Sequence, residues 1–286
     1  MCCLFGFIDY AGSLSVKQKC RLIRELSIAA EVRGTDATGI AYNTSRGLQI
    51  YKRPLAAHRL HLRIPAEAHV VMGHTRMATQ GSAKKNFNNH PFFGHVKGES
   101  FALTHNGTIW NDLELRRTKH LPRTKVQTDS YIAAQLLEQQ KALNLSSLKC
   151  MVEQVEGSFS FSVLSEQDEL WLVKGDNPLT IVHYPAAGVY VYASTAEILN
   201  KALARCGNWI GRGEKVDIAM GDIVKIDRKG RITRGTFDAS KLYRSSWGYW
   251  DTPLYPKVPH SEEEHLALLK SVAKSLALQA RWSIDC

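Results

Sequence analysis

The feature that most restricts the fold is the series of short apolar runs in the second half of the chain. Strand-like segments recur at 158–164, 169–174, 179–184, 188–193 and 222–227, punctuated by Gly, Asn-Pro and Asp, with one helical stretch at 195–204. The first half adds strand-like runs at 2–10, 39–43, 48–52, 69–73 and 101–104. The last of these ends at Thr104-His105-Asn106-Gly107, where Asn-Gly is a turn signal. Helical periodicity covers 16–32, with Ser15 as its cap and Gly34 just beyond, and 129–143, where Asp129 opens the helix. Strands arriving in runs, with helices set apart, specify α+β layers and not a strictly alternating parallel sheet. The composition changes near residue 244: Ser245 to Pro259 is rich in Trp, Tyr and Pro and reads as an extended arm. Ser261 with Glu262, Glu263 and Glu264 then marks the start of an amphipathic helix. The expected organisation is therefore a main domain over 2–243 and a linker plus C-terminal helix over 244–286. A docked helix and a homo-oligomer contact are both compatible with that ending.

The chain has 286 residues, of which 44% are hydrophobic and 22% charged. That balance excludes global disorder, and the length is enough to bury a core without staples. No run approaches a membrane span, and the apolar first ten residues lack the charged and small-residue features of a signal peptide, so the expected location is the cytoplasm. The 37 Lys and Arg exceed the 27 Asp and Glu by ten, which admits an anionic partner. The basic run Arg116 to Lys125 is the densest part of that excess. It lacks interleaved aromatics and any nucleic-acid motif, so nucleic acid is not the expected partner. Six cysteines stand without a C-x-x-C pair, and His74, His90 and His105 have no matched ligand spacing. Neither a metal site nor a disulfide framework is expected.

Two of the cysteines, Cys2 and Cys3, directly follow the initiator methionine. Removal of Met1 would leave Cys2 with a thiol and a free α-amine on one carbon. An α-amine titrates at about 7.7–8.0, so a neutral base is available near physiological pH. It can take the thiol proton and release the nucleophilic thiolate. On position alone, the favoured reading of Cys2 and Cys3 is as buried strand residues, since free cysteine is often buried.

Polar strings elsewhere favour the chemical reading. They are Arg33-Gly34-Thr35-Asp36-Ala37-Thr38-Gly39, Gly73-His74-Thr75-Arg76-Met77-Ala78-Thr79-Gln80-Gly81, Asn88-Asn89-His90-Pro91, His105-Asn106-Gly107-Thr108, Thr128-Asp129, Glu156-Gly157-Ser158-Phe159 and Gly221-Asp222-Ile223-Val224. In this order, behind an N-terminal Cys, they resemble the class II glutamine amidotransferases, which are N-terminal-nucleophile hydrolases. The glutaminase domain of glucosamine-6-phosphate synthase is the nearest likeness, over about residues 2 to 227.

The resemblance implies a four-layer αββα sandwich and no cofactor. It implies that Cys2 attacks the side-chain amide of glutamine or of another γ-glutamyl amide. It makes the Asn106 side chain and the Gly107 backbone N–H an oxyanion hole, Arg76 the clamp on the substrate carboxylate and Asp129 the acceptor of its α-ammonium. Met77 and Thr79 match positions in the pocket wall, and Arg33 matches a residue that steadies the loop around the nucleophile. Two positions depart from the synthase-type pattern: Cys3 stands where Gly is usual, and Met77 where Trp is usual. About 60 residues follow residue 227, too few for an ammonia-accepting domain, so a separate synthase is the expected acceptor. A stand-alone amidase and a non-catalytic binding module with this fold remain as alternatives.

Overall fold

A computed structural model describes residues 2–207, 210–240 and 242. The arm and helix expected over 244–286 lie outside the described residues. The chain begins with strand β1 (Cys3–Asp9), helix α1 (Val16–Ala29), and strands β2 (Ala37–Thr44), β3 (Gly47–Arg53) and β4 (Val70–Arg76). Strands β5 (Phe92–Val96) and β6 (Glu99–Ile109) follow, then helices α2 (Asp112–Thr118), α3 (Tyr131–Gln140) and α4 (Leu145–Val152). Strands β7 (Gly157–Ser165), β8 (Leu170–Lys174), β9 (Thr180–Tyr184) and β10 (Val189–Ala193) precede α5 (Ala196–Cys206). Strands β11 (Glu214–Val216), β12 (Asp222–Ile226) and β13 (Ile232–Thr236) complete the described elements.

Two antiparallel sheets result. One has the order β11-β9-β10-β1-β4-β2-β3 and the other β13-β12-β8-β7-β6-β5. Period-two alternation on β1 divides its side chains between two cores. Leu4 and Ile8 join Met72 of β4, Ala102 of β6, Leu164 of β7, Leu172 of β8 and Tyr192 of β10 in a layer between the sheets. Cys3, Phe5 and Phe7 face the other way, onto Leu22, Ile23 and Leu26 of α1 and Ile198 and Leu199 of α5. On the far side of the second sheet, Leu103, Phe161 and Trp171 pack against Ile132, Leu136 and Leu137 of α3 and Leu148 and Met151 of α4. Helices, sheet, sheet and helices thus make the four-layer αββα sandwich that the sequence resemblance implied.

The helix boundaries follow local chemistry. Ser15 and Gln18 form a reciprocal capping box at the start of α1. The helix ends at Ala29 and tightens into a 3-10 turn over Ala30–Arg33, short of the continuous 16–32 helix expected from periodicity. Lys19, buried on α1, donates to the carbonyls of Ala66 and Ala68 and pairs with Asp9 at 3.3 Å. That pair ties α1 to the end of β1, the strand that carries the amino terminus. Helix α3 starts two residues later than expected, leaving Asp129 in the turn before it. Among the described residues no helix is long and apolar enough to cross a membrane.

The Asn106-Gly107 turn expected at the end of 101–104 is not a turn. Strand β6 runs through it to Ile109, with Asn106 opposite Ser160 and Gly107 opposite Phe159 of β7. A glycine is needed there for a different reason. Gly107 has φ 142°, and a Cβ would lie 1.8 Å from the Ser158 carbonyl oxygen, so the residue serves close backbone approach.

Candidate active site

β1 is an interior strand, paired with β10 on one side and β4 on the other. Cys2 sits at its start, and side-chain alternation with Leu4 directs it toward the space between the sheets. The same alternation on β4 sends His74 and Arg76 to that side, because Met72 lies there while Thr75 donates to the Ala30 carbonyl on the helix side. On β6 it sends Asn106 inward with Ala102, while Leu103 packs on the helices. The apolar inter-sheet layer therefore ends in polar side chains.

Cys2 is half-buried, and its thiol donates to the Met77 carbonyl at 3.6 Å. Burial pushes its pKa up from the ordinary thiol value, against the opposing pull of that hydrogen bond and of the Arg76 charge. The resting group is consequently a thiol and needs a base to become a nucleophile. Arg33 donates from Nε to the Cys2 carbonyl oxygen at 2.8 Å. Cys3, by contrast, is fully buried in the α1-side core, and burial raises its thiol to about 11. A side chain at this position therefore crowds the helix layer, not the polar end of the inter-sheet layer.

Asn106 is fully buried, and its side-chain nitrogen donates to Ser194 Oγ at 3.3 Å. The same hydroxyl oxygen accepts the Leu4 N–H at 2.9 Å, and the Ser194 N–H donates back to the Leu4 carbonyl. Ser194 thereby couples the oxyanion candidate to the strand that carries Cys2. The Asn106 Oδ1 is buried without a hydrogen-bond partner among the described residues. An amide nitrogen has two N–H donors, so the bond to Ser194 leaves a second one.

Arg76 is buried on β4. Its guanidinium donates to Asn89 Oδ1 at 2.7 Å, to the Gly81 carbonyl at 2.9 Å and to the Gln80 carbonyl. It thus folds the 77–81 loop around itself. Asp36 reinforces that loop by accepting the Ala78 N–H at 2.8 Å. Met77 and Thr79 lie on this loop with exposed side chains. Met77 contributes its backbone carbonyl to Cys2, which a Trp at that position would also offer. Asp129, 2% exposed, accepts the Ile109 N–H at 2.6 Å, which locks the turn before α3 onto the end of β6.

Burial pulls the Arg76 guanidinium down from its ordinary value, and Asp129, Asp36 and the thiolate form of Cys2 pull it back. Arg76 and Asp129 are therefore close enough to influence each other, yet they form no direct ion pair within 4 Å. A buried cation and a buried anion held apart in this way complement a zwitterion better than they complement each other. His74, His90 and His105 are buried behind them, and burial drives all three below the ordinary imidazole range. His74 is bonded to the His105 carbonyl at 2.9 Å, and the His74 and His90 rings pack 4.1 Å apart.

Sequence reasoning gave no role to Ser194, Asn89 or Asp36. Asn89 and Asp36 were inside the polar strings that carried the resemblance. Ser194 was hidden because Ser194-Thr195 before a helical run reads as a cap; Thr195 does cap α5, through the Ile198 N–H.

Comparison with known proteins bears on the fold and on the family likeness. The two-sheet fold is shared with solved amidotransferases. Its structural likenesses include the glutamine phosphoribosylpyrophosphate amidotransferase of B. subtilis, solved with ADP and GMP. That structure has a TM-score of 0.63 at 18% identity, covering 82% of this chain and 49% of that one. A second structure, described as the allosteric regulatory enzyme of purine biosynthesis, gives 0.65, also at 18% identity and with the same coverage. A family profile described as a glutamine amidotransferase domain matches residues 74–201. The glutamine–fructose-6-phosphate aminotransferase (isomerizing) of Sulfurisphaera tokodaii is 30% identical over 195 residues, 63% of this chain and 31% of that protein. Its namesake from Bacillus thuringiensis subsp. konkukian is 32% identical over 190 residues, 63% of this chain and 30% of that protein. The chain spans about a third of the length of these relatives. Over residues 74–201, somewhat under half of its length, the chain is thus similar to a glutamine amidotransferase domain.

Proposed function

We propose that this protein hydrolyses the side-chain amide of glutamine through a γ-glutamyl thioester on Cys2, and that the ammonia serves a separate synthase. The observation that carries the reading is the buried Arg76 and Asp129 pair, oppositely charged and not in direct contact. It suits the α-carboxylate and α-ammonium of a free amino acid, with Arg76 as the carboxylate clamp. The raised Cys2 pKa supports a built-in base, because a thiol that stays protonated at neutral pH needs a proton acceptor at hand. With Met1 removed, the α-amine of Cys2 is that acceptor.

The amine takes the thiol proton as Sγ attacks the amide carbon. The carbonyl π pair moves to oxygen, where the second N–H of the Asn106 side chain and the Gly107 backbone N–H stabilise it. One donor of this kind is worth about 2.7–4 kcal/mol of barrier. Collapse breaks the carbon–nitrogen bond, and the ammonium proton passes from the amine to the departing nitrogen, giving ammonia. Water, deprotonated by the same amine, then attacks the thioester. The carbon–sulfur bond breaks, the proton returns to sulfur, and glutamate leaves. Met77 and Thr79 sit on the loop that would close over the substrate.

Intact mass and glutamate release test this together. The expected result is a chain lacking Met1 that releases glutamate, and a Cys2→Ala variant that does not. A chain that keeps Met1 and still turns over glutamine refutes the amine mechanism. Turnover of another γ-glutamyl amide well above that of glutamine refutes the substrate assignment.

A further inference from the structure

The basic run 116–125 is not used by the chemistry above, and the fold does not spread it over a flat surface. Helix α2 ends at Thr118, and the chain doubles back through His120, whose φ is 50°, before descending to Gln127. They line an open cleft of about 600 Å³ to which Arg116, Arg117 and Arg123 contribute. Leu113, Leu121, Pro122 and Val126 supply its apolar lining. That volume is within the roughly 300–1,000 Å³ range of small-molecule sites, and the mixture of apolar lining and few charged groups is also theirs.

The three guanidiniums are not consumed by the protein. None of them takes part in an ion pair among the described residues, and Arg116 makes only a long hydrogen bond, 3.4 Å, to Gln135. Asp112 is the one carboxylate among the lining residues, and it is buried. Like charges gathered on a concave wall repel one another and focus a positive potential into the cleft. Gln80 and Gln127 also line it. The Gln80 carbonyl accepts from Arg76, and Gln127 lies two residues before Asp129, so the cleft adjoins the glutamine-binding candidates without including them.

We propose that this cleft binds a phosphorylated small molecule, with Arg116, Arg117 and Arg123 gripping the phosphate groups and the apolar lining taking the rest. A phosphate is preferred over a carboxylate because its three or more oxygens and near-double charge can be shared among three planar donors, whereas one carboxylate offers two oxygens. Concavity argues for a small ligand over an extended acidic chain. The assignment is independent of the proposed glutaminase reaction, because binding is read directly.

The test is isothermal titration of the full-length protein with inorganic pyrophosphate at about 0.15 M salt, where weak surface attraction is screened. Malonate and a hexaglutamate peptide serve as comparison ligands. Saturable binding of one pyrophosphate per chain, weakened roughly tenfold or more in Arg116→Gln/Arg117→Gln/Arg123→Gln, is the expected result. Arg117→Glu and Arg123→Glu, both at exposed positions, give the same reading if the triple variant does not fold. The proposal is overturned by the absence of saturable pyrophosphate binding, by binding that the variants leave intact, by malonate binding equally well, or by binding of the peptide alone.

Discussion

Arg33 Nε donates to the carbonyl oxygen of Cys2 at 2.8 Å, across 31 residues of sequence. The bond holds the Cys2 backbone, and in the proposed reaction, where the Cys2 amine and thiol must both be aimed, it makes Arg33 a positioning residue. A hydrogen bond to a charged donor is worth about 1.5–3 kcal/mol, which corresponds to roughly 10–160-fold in rate if the bond is needed only for correct aim. Arg33→Met should lower the kcat of glutamate release by that factor while leaving the KM for glutamine within about twofold. Steady-state kinetics read both. A rise in KM at unchanged kcat would show that Arg33 acts on substrate binding instead.

The two adjacent cysteines should behave as different chemical species. Cys3 is fully buried with its thiol raised to about 11, whereas Cys2 is half-buried at the strand end. Iodoacetamide on the native protein should therefore modify Cys2 and spare Cys3, as read by peptide mass spectrometry. Cys3→Ala removes one sulfur from the α1-side core and should cost about 1 kcal/mol of stability with turnover retained. Preferential labelling of Cys3 would contradict the orientation of β1.

How much of this was legible beforehand depended on the kind of signal. Leu22, Ile23 and Leu26 announced α1 by period, and Ser15 announced its cap. The strands from 158 onward announced α+β layers by their short turn-bounded runs. Gly107 misled, because Asn-Gly is a local turn signal while the actual constraint is the Ser158 carbonyl across the sheet, 51 residues away in sequence. Strands β5, β11 and β13 and helices α2 and α4 were missed. The burial of β5 alternates, with Phe93 and His95 outside, and α2 is too short to establish a period. Of the site, Cys2, Asn106, Arg76 and Asp129 were visible as polar strings in a set order. Ser194 was not, because its role is to bridge Leu4 and Asn106, a tertiary relation with no local pattern.

The buried histidines should make the fold sensitive to acid. Burial lowers His74 from the ordinary 6.5 to about 3 and carries His90 and His105 in the same direction. A depressed histidine is neutral in the folded chain while the unfolded chain takes up a proton. The stability it represents is complete above about pH 6.5 and is lost as pH falls toward the folded value. For His74 alone the slope between those limits approaches about 1.4 kcal/mol per pH unit. Urea midpoints should therefore fall between pH 6.5 and 4.5, and His74→Gln should show a shallower decline. A midpoint that is flat over this range, or an equally steep decline in the variant, would contradict the account.

The last prediction separates close approach from backbone freedom as the reason for Gly107. An alanine Cβ there would lie 1.8 Å from the Ser158 carbonyl oxygen and 2.9 Å from His105 Nε2. The first of these atoms is backbone in the central pairing of β6 with β7, so relief requires the ladder to open. At Gly98, between β5 and β6, φ is +80° but a Cβ would meet nothing within 4 Å, so alanine there pays only for backbone conformation, about 1–2 kcal/mol. Gly107→Ala should cost clearly more, about 3 kcal/mol or above, and for a domain of this size that lowers Tm by at least about 6 °C. Differential scanning calorimetry of the two variants decides the point. Equal shifts would mean that φ alone sets the glycine requirement.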